Sequence, residues 1–150
     1  MIEPTIVTWL LVIIGIIIYA PPLYMQVLAV RAPQSQRVKD LLIGKGADYA
    51  DKTHLRFCYG TGWADLMMQF PPLIAGSIGV ILGQSWGYML WVAGATVAVY
   101  ISIVLWFVER EHVYPNFGPL VYYTYYWGIW VYWAVIAIGY GLLRINGIVF

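Results

Sequence analysis

Three stretches almost free of charge govern what this chain can fold into. Residues 4 to 30 contain no Asp, Glu, Lys or Arg, residues 57 to 108 contain only Asp65, and residues 113 to 143 again contain none. A helix needs roughly 20 apolar residues to cross about 30 Å of hydrocarbon. The first and last runs each hold one crossing, and the middle run holds two around the break Gly83-Gln84-Ser85. Spans are therefore predicted near residues 5–30, 57–82, 86–108 and 119–143, an all-α integral membrane bundle of four helices forming a single domain over 1–150. A transmembrane barrel would need alternating segments of about 10 residues, and these runs do not alternate. Composition agrees: 62% of the 150 residues are hydrophobic and 10% charged, against about 25% charged in soluble domains.

The remaining polar pieces are short. Arg31 to Arg56 is a polar connection too small for its own core, in which Val38, Leu41 and Leu42 among Lys39, Asp40 and Lys45 form an amphipathic stretch suited to the membrane surface. The first apolar run is too long for a signal-peptide core and lacks a small-x-small cleavage site, so it is expected to remain as a span. Lys and Arg concentrate in the first loop (Arg31, Arg37, Lys39, Lys45, Lys52, Arg56), which places the first and third loops in the cytoplasm and both termini outside. A net charge of +1 gives no case for nucleic acid.

Proline pairs interrupt two spans: Pro21-Pro22 in the first and Pro71-Pro72 in the second. Each removes a backbone donor and clashes with the preceding turn, so both helices are expected to kink and leave room between them. Gly76, Gly79 and Gly83 face Gly94 and Ala98 as candidates for close helix approach. Trp86, Tyr88 and Trp106 suit an interfacial belt.

Asp65 is the most informative side chain. A carboxylate at helix depth costs about 2.5–3.5 kcal/mol on insertion scales, so it is expected to face the protein interior, with Gln69 and then Pro72 following on the same face. The last span carries many more aromatics than two interfacial belts require, and Tyr122, Tyr126, Trp130 and Trp133 fall on one face. An acid beside an aromatic wall suits a flat hydrophobic ligand; the alternative is plain aromatic packing. Glu109, Arg110, Glu111 and His112 read as a solvated loop with weak ion pairs. His54 and His112 lack metal-ligand spacing, and the lone Cys58 excludes a multi-thiolate cluster, so neither a metal nor another cofactor is expected.

Two motifs carry a family resemblance. Asp65-Leu66-Met67-Met68-Gln69-Phe70-Pro71 is similar to an acid-Leu-x-x-Gln-Leu-Pro run of the EXPERA superfamily, the four-helix membrane module shared by emopamil-binding sterol isomerases and the sigma-two receptor. Val99-Tyr100 through Trp106-Phe107-Val108-Glu109, and Gly118-Pro119-Leu120 with the aromatic run to Trp133, resemble that family's third and fourth helices. The resemblance spans most of residues 57–140. It implies a bilayer-accessible pocket for sterols or similar lipids and an endoplasmic reticulum location. In the isomerases it implies carboxylates that shuttle a proton and a Trp that stabilises a carbocation, roles that would fall here to Asp65, Glu109 and Trp133. The family's first-helix His and Glu fall at Tyr19 and Leu23, and its fourth-helix Asn at Trp130, with Gln26 the nearest polar candidate on the first helix.

The expected site thus has Asp65, Glu109 and Trp133 as candidate acid/base and cation-stabilising residues. Gln69, Tyr24, Gln26, Tyr100, Tyr122, Tyr126 and Trp130 are its candidate ligand contacts. The expected function is binding of a sterol- or isoprenoid-like ligand within the membrane, with an EXPERA-type isomerase or related acid/base enzyme as one alternative. The other is an assembly subunit, whose Gly and aromatic faces would take a second copy or another membrane protein.

Overall fold

A computed structural model describes residues 2–123 and 128–148, with side chains for all of these except Val121 and Tyr122. The described residues form α1 (Ile6–Arg31), α2 (Gln36–Leu42), α3 (Lys52–Ala64), α4 (Phe70–Ile81), α5 (Ser85–Val108), α6 (Tyr114–Tyr122) and α7 (Ile129–Ile145). No strand occurs among them. A single π-helical turn, Asp65–Gln69, joins α3 to α4, so Lys52–Ile81 reads as one rod. Three helices are long and apolar enough to cross a membrane: Ile6–Arg31, Lys52–Ile81 and Ser85–Val108. These match the first three predicted spans, although the second begins at Lys52 rather than 57. The Asp51 carboxylate caps it, accepting from the Thr53 and His54 amides at 2.7 and 2.8 Å.

The fourth predicted span, 119–143, is helical over its described residues on both sides of 124–127, and helix begins ahead of it. α6 starts at Tyr114, earlier than expected, and breaks inside at Gly118, whose φ of 73° and ψ of 170° leave the helical region. A side chain at that φ would be strained, and Pro119 next to it cannot supply a backbone donor. Helix follows again up to Tyr122 and, as the 17-residue α7, over Ile129–Ile145; residues 124–127 lie outside the described ones.

The two proline pairs sit in different backbone settings. α1 runs through Pro21-Pro22 as one helix. In the second span the adjustment comes before Pro71: the Phe70 amide bonds back to the Asp65 carbonyl, five residues away. A regular helix would press the Pro71 ring onto the Met67 carbonyl and leave two carbonyls without donors. The backbone widens by one turn just before the proline pair, at the residues that carry the acid and the amide.

α5 is the central helix, packed on α4 along one side and α7 along the other, while α1 lies across α3, α4 and α7. The α4/α5 contact rests on missing side chains, as the small-residue spacing predicts. A Cβ built on Gly87 would lie 2.3 Å from the Val80 amide nitrogen, and one on Gly79 would lie 2.6 Å from the Gly87 Cα. Gly94 accepts Leu73 in the same manner. The core then fills with rings: Trp91 and Tyr88 are fully buried, Trp91 meets Trp133 at 5.8 Å, and Tyr19 meets Trp133 at 5.1 Å. Tyr88 is therefore a core residue and not part of an interfacial belt. Its hydroxyl joins a polar knot in which the Thr8 hydroxyl lies 3.2 Å from it and 2.7 Å from the Tyr140 hydroxyl. A buried ring with a polar tip needs such a partner.

The first loop is more than a connection. α2 is capped by Ser35 and buries Val38, with Ile43 just beyond it also buried. Asn116 at the start of α6 clamps it, its Nδ2 donating to the Ile43 carbonyl at 3.0 Å.

Gly87→Leu should destabilise the protein by about 1–3 kcal/mol through overpacking of the α4/α5 seam. Gly139→Ala, where nothing lies within 4 Å, should gain about 0.5–1 kcal/mol. Thermal unfolding in detergent measures both.

Candidate functional site

Below α2 and between α1, α3, α5 and the ends of α6 and α7 lies a cavity of about 270 Å³. Its walls are apolar: Pro22, Met25, Leu41, Leu42, Phe70, Ala98, Ile101, Leu105, Phe117 and Trp130. Set into them are Gln26, Asp40, Cys58, Thr61, Asp65, Gln69, Ser102 and Glu109. The wide π-helical turn and the rigid α4/α5 seam bring most of these together.

The polar groups form two poles. At the first, Asp65 is 6% exposed and its Oδ2 accepts a 2.8 Å hydrogen bond from Gln26 Nε2 on α1. Gln69, one turn on and 3% exposed, also lines the cavity, and its Oε1 has no partner among the described residues. Thr61 and Ser102 donate their hydroxyls to the Phe57 and Ala98 carbonyls, both at 2.8 Å, so what they can offer the cavity is lone pairs. This pole is rich in acceptors.

The second pole lies at the other end of the same helix face. Cys58 precedes Asp65 by seven residues, two helical turns, which is about 10 Å along the axis. Its Sγ donates to Glu109 Oε1 at 3.6 Å, and His54 Nε2 meets Glu109 Oε2 at 3.2 Å. His54 and Glu109 are 5% and 4% exposed, so the solvated loop expected around Glu109 is overturned for that residue. The cause is tertiary: the early start of α3 puts His54 in its first turn, where the imidazole reaches Glu109 just beyond α5. Arg110 and Glu111 remain exposed as expected. Burial pushes the Glu109 carboxyl up to about 7. The His112 ring stacks on that of His54 at 4.3 Å, and the Ala50 amide donates to His54 Nδ1 at 3.2 Å. That contact makes Nδ1 an acceptor, which puts the proton on Nε2, facing Glu109.

Asp65, Gln69, Gln26, Trp130 and Glu109 thus meet on one cavity. Tyr24 and Tyr100 do not line it: each stands two residues from cavity-lining neighbours, Pro22 and Gln26 in one case and Ala98 and Ser102 in the other, and so faces away. Tyr24 is exposed and accepts from Arg37 Nη2 at 2.6 Å, and Tyr100 is 66% exposed. Trp133 lies in the core and not on the cavity. Its indole N–H donates to the Leu11 carbonyl at 2.9 Å, and its ring fills the space left by the absent Gly15 side chain. The Tyr122 side chain and Tyr126 lie outside the described residues. Sequence reasoning missed His54, Cys58, Thr61, Ser102 and the α2 roof. The His54/Cys58 spacing of four residues was a weak signal, and nothing local paired it with Glu109.

Gln26→Leu should cost about 1–3 kcal/mol, because it strips the buried Asp65 carboxyl of its amide partner. Adding Asp65→Leu should return most of that loss. Chemical or thermal unfolding of the three variants as a double-mutant cycle measures the coupling.

Neither a protein-family model, nor a curated protein, nor a solved structure matches the chain.

Proposed function

We propose that the protein binds a hydroxyl-bearing, sterol- or isoprenoid-like lipid in this cavity, within a four-span bundle related to the EXPERA module. The observation that carries the reading is Gln69 Oε1, unpartnered among the described residues and buried beside the Asp65 carboxyl in an otherwise apolar chamber. An unsatisfied buried acceptor costs about 1–3 kcal/mol, a cost removed by a ligand that presents a donor. The surrounding lone pairs favour a hydroxyl on the ligand over a carbonyl, and the apolar walls favour a lipid body. Trp130, on the cavity at the start of α7, supplies an aromatic face.

The fourth crossing is part of the same proposal. α7 packs along α5 and reaches α1 through the Trp133 to Leu11 hydrogen bond, so it lies at the depth of the three long helices. The endoplasmic reticulum address rests on the family resemblance.

A second reading is favoured by one observation, that two of the three carboxyls on the cavity, Asp65 and Glu109, are buried there. Two carboxyls in unlike surroundings are what acid/base chemistry on a polycyclic lipid needs. Their pairings differ, an amide for one and an imidazole with a thiol for the other.

The test is the lipid that the protein keeps when purified in mild detergent, read by native mass spectrometry. A neutral, sterol- or isoprenol-sized molecule is expected on the wild type. Gln69→Leu should weaken its retention about 2–10-fold, the worth of one hydrogen bond, and Trp130→Leu should empty the wall. Folded wild-type protein that retains no such molecule, and fails to take up an added photoreactive sterol or isoprenol, overturns the reading. Turnover of the lipid that stops in Asp65→Asn would establish the enzyme.

A further inference from the structure

We propose that His54, Cys58 and Glu109 form a binding site for a zinc-class divalent metal at the α2 end of the cavity. The three donor atoms lie within 4.8 Å of one another. Zinc bonds are about 2.0–2.3 Å to N, O and S, so tetrahedral ligand atoms sit about 3.4–3.7 Å apart. The two carboxylate oxygens of Glu109 each stand near that spacing from one partner, Oε2 at 3.2 Å from Nε2 and Oε1 at 3.6 Å from Sγ. Bringing both partners to the spacing around a single oxygen takes a shift of about 1 Å from the 4.8 Å limit, within reach of side-chain rotation.

Charge supports the same site. Glu109 is buried with no Lys or Arg salt bridge among the described residues, its partners there being a neutral imidazole and a thiol. A divalent ion with one thiolate, one carboxylate and one imidazole has no net charge, which removes the main penalty for burying any of the four. The donor set also selects the ion, since nitrogen with thiolate suits zinc, cobalt or ferrous iron and not magnesium or calcium. His54 and Cys58 stand four apart on one face of α3, and Glu109 closes the third corner from the end of α5.

Cys58 and Glu109 also line the cavity. The fourth coordination position therefore opens towards the ligand chamber, as in catalytic rather than closed structural zinc sites.

Binding sends the Sγ proton to solvent and moves the imidazole proton from Nε2 to Nδ1. The Ala50 amide, which donates to Nδ1 at 3.2 Å, then loses its acceptor. A mismatched outer partner of this kind costs about 10–100-fold in affinity. The site should accordingly be exchangeable, losing its metal to a chelator.

The experiment uses the full chain in detergent, stripped with chelator and titrated with Co²⁺. Expected is one cobalt per chain, with a near-ultraviolet thiolate-to-cobalt band and strong tetrahedral visible bands, both displaced by Zn²⁺. Cys58→Ser should lose the band, and His54→Ala and Glu109→Gln should weaken binding. Independently of any variant, Zn²⁺ at ten times its dissociation constant should slow alkylation of Cys58 by N-ethylmaleimide about tenfold, with Mg²⁺ giving no protection. Folded protein that shows neither band nor protection overturns the site, as does protection that persists in folded His54→Ala and Glu109→Gln. Neither readout needs a bound lipid, so this result and that for the proposed function stand apart.

Discussion

A carboxyl group carried inside an apolar span sets the terms for the rest of this molecule. Asp65 cannot face lipid without a cost of about 2.5–3.5 kcal/mol on insertion scales, and it meets that demand by accepting from Gln26 across the α1/α3 interface. One hydrogen bond thereby ties the first span to the second at the place where the backbone is also least regular. The wide turn just before Pro71-Pro72 carries both the acid and Gln69. Backbone irregularity at membrane depth is tolerated only where protein or a cavity covers it, and here it borders the chamber.

The chamber exists because its neighbours are packed so closely. Absent side chains at Gly76, Gly79 and Gly87 let α4 and α5 meet backbone to backbone, and the rings of Tyr88, Trp91 and Trp133 fill the part of the bundle away from α2. Large residues committed there leave the α2 end lined by smaller or flexible groups, among them Ala98, Ser102, Met25 and Leu105. The polar knot of Thr8, Tyr88 and Tyr140 satisfies the ring hydroxyls at the packed end. At the α2 end comparable groups face open space, which is why chemistry can be assigned there.

How much could be read beforehand followed from the range of each signal. Three long apolar helices, the interior position of Asp65 and the small-residue seam are local or near-local properties, written in charge-free runs and in spacing along one helix. Which aromatic faces the cavity was less legible. Trp130 and Trp133 share a face, yet a difference of one turn puts the first on the chamber and the second against Gly15. Tyr24 and Tyr100 were misplaced because periodicity gives a helix its faces but does not say which face meets which neighbour. The break at Gly118, just ahead of the last predicted span, depended on a positive φ at a glycine that reads equally well as a turn or a helix residue.

By itself the sequence determined that the chain is helical and suited to a membrane, with an acid that must turn inward, since hydrophobic transfer and the cost of a charge in hydrocarbon act on each segment regardless of its partners. Tertiary structure alone decided that His54 and Cys58 meet Glu109, that α2 roofs the chamber and that Gln69 is left without a donor among the described residues. Those outcomes depend on the relative depth and rotation of helices some 50 residues apart, set by the sum of many weak packing contacts, and no single stretch of sequence carries that sum.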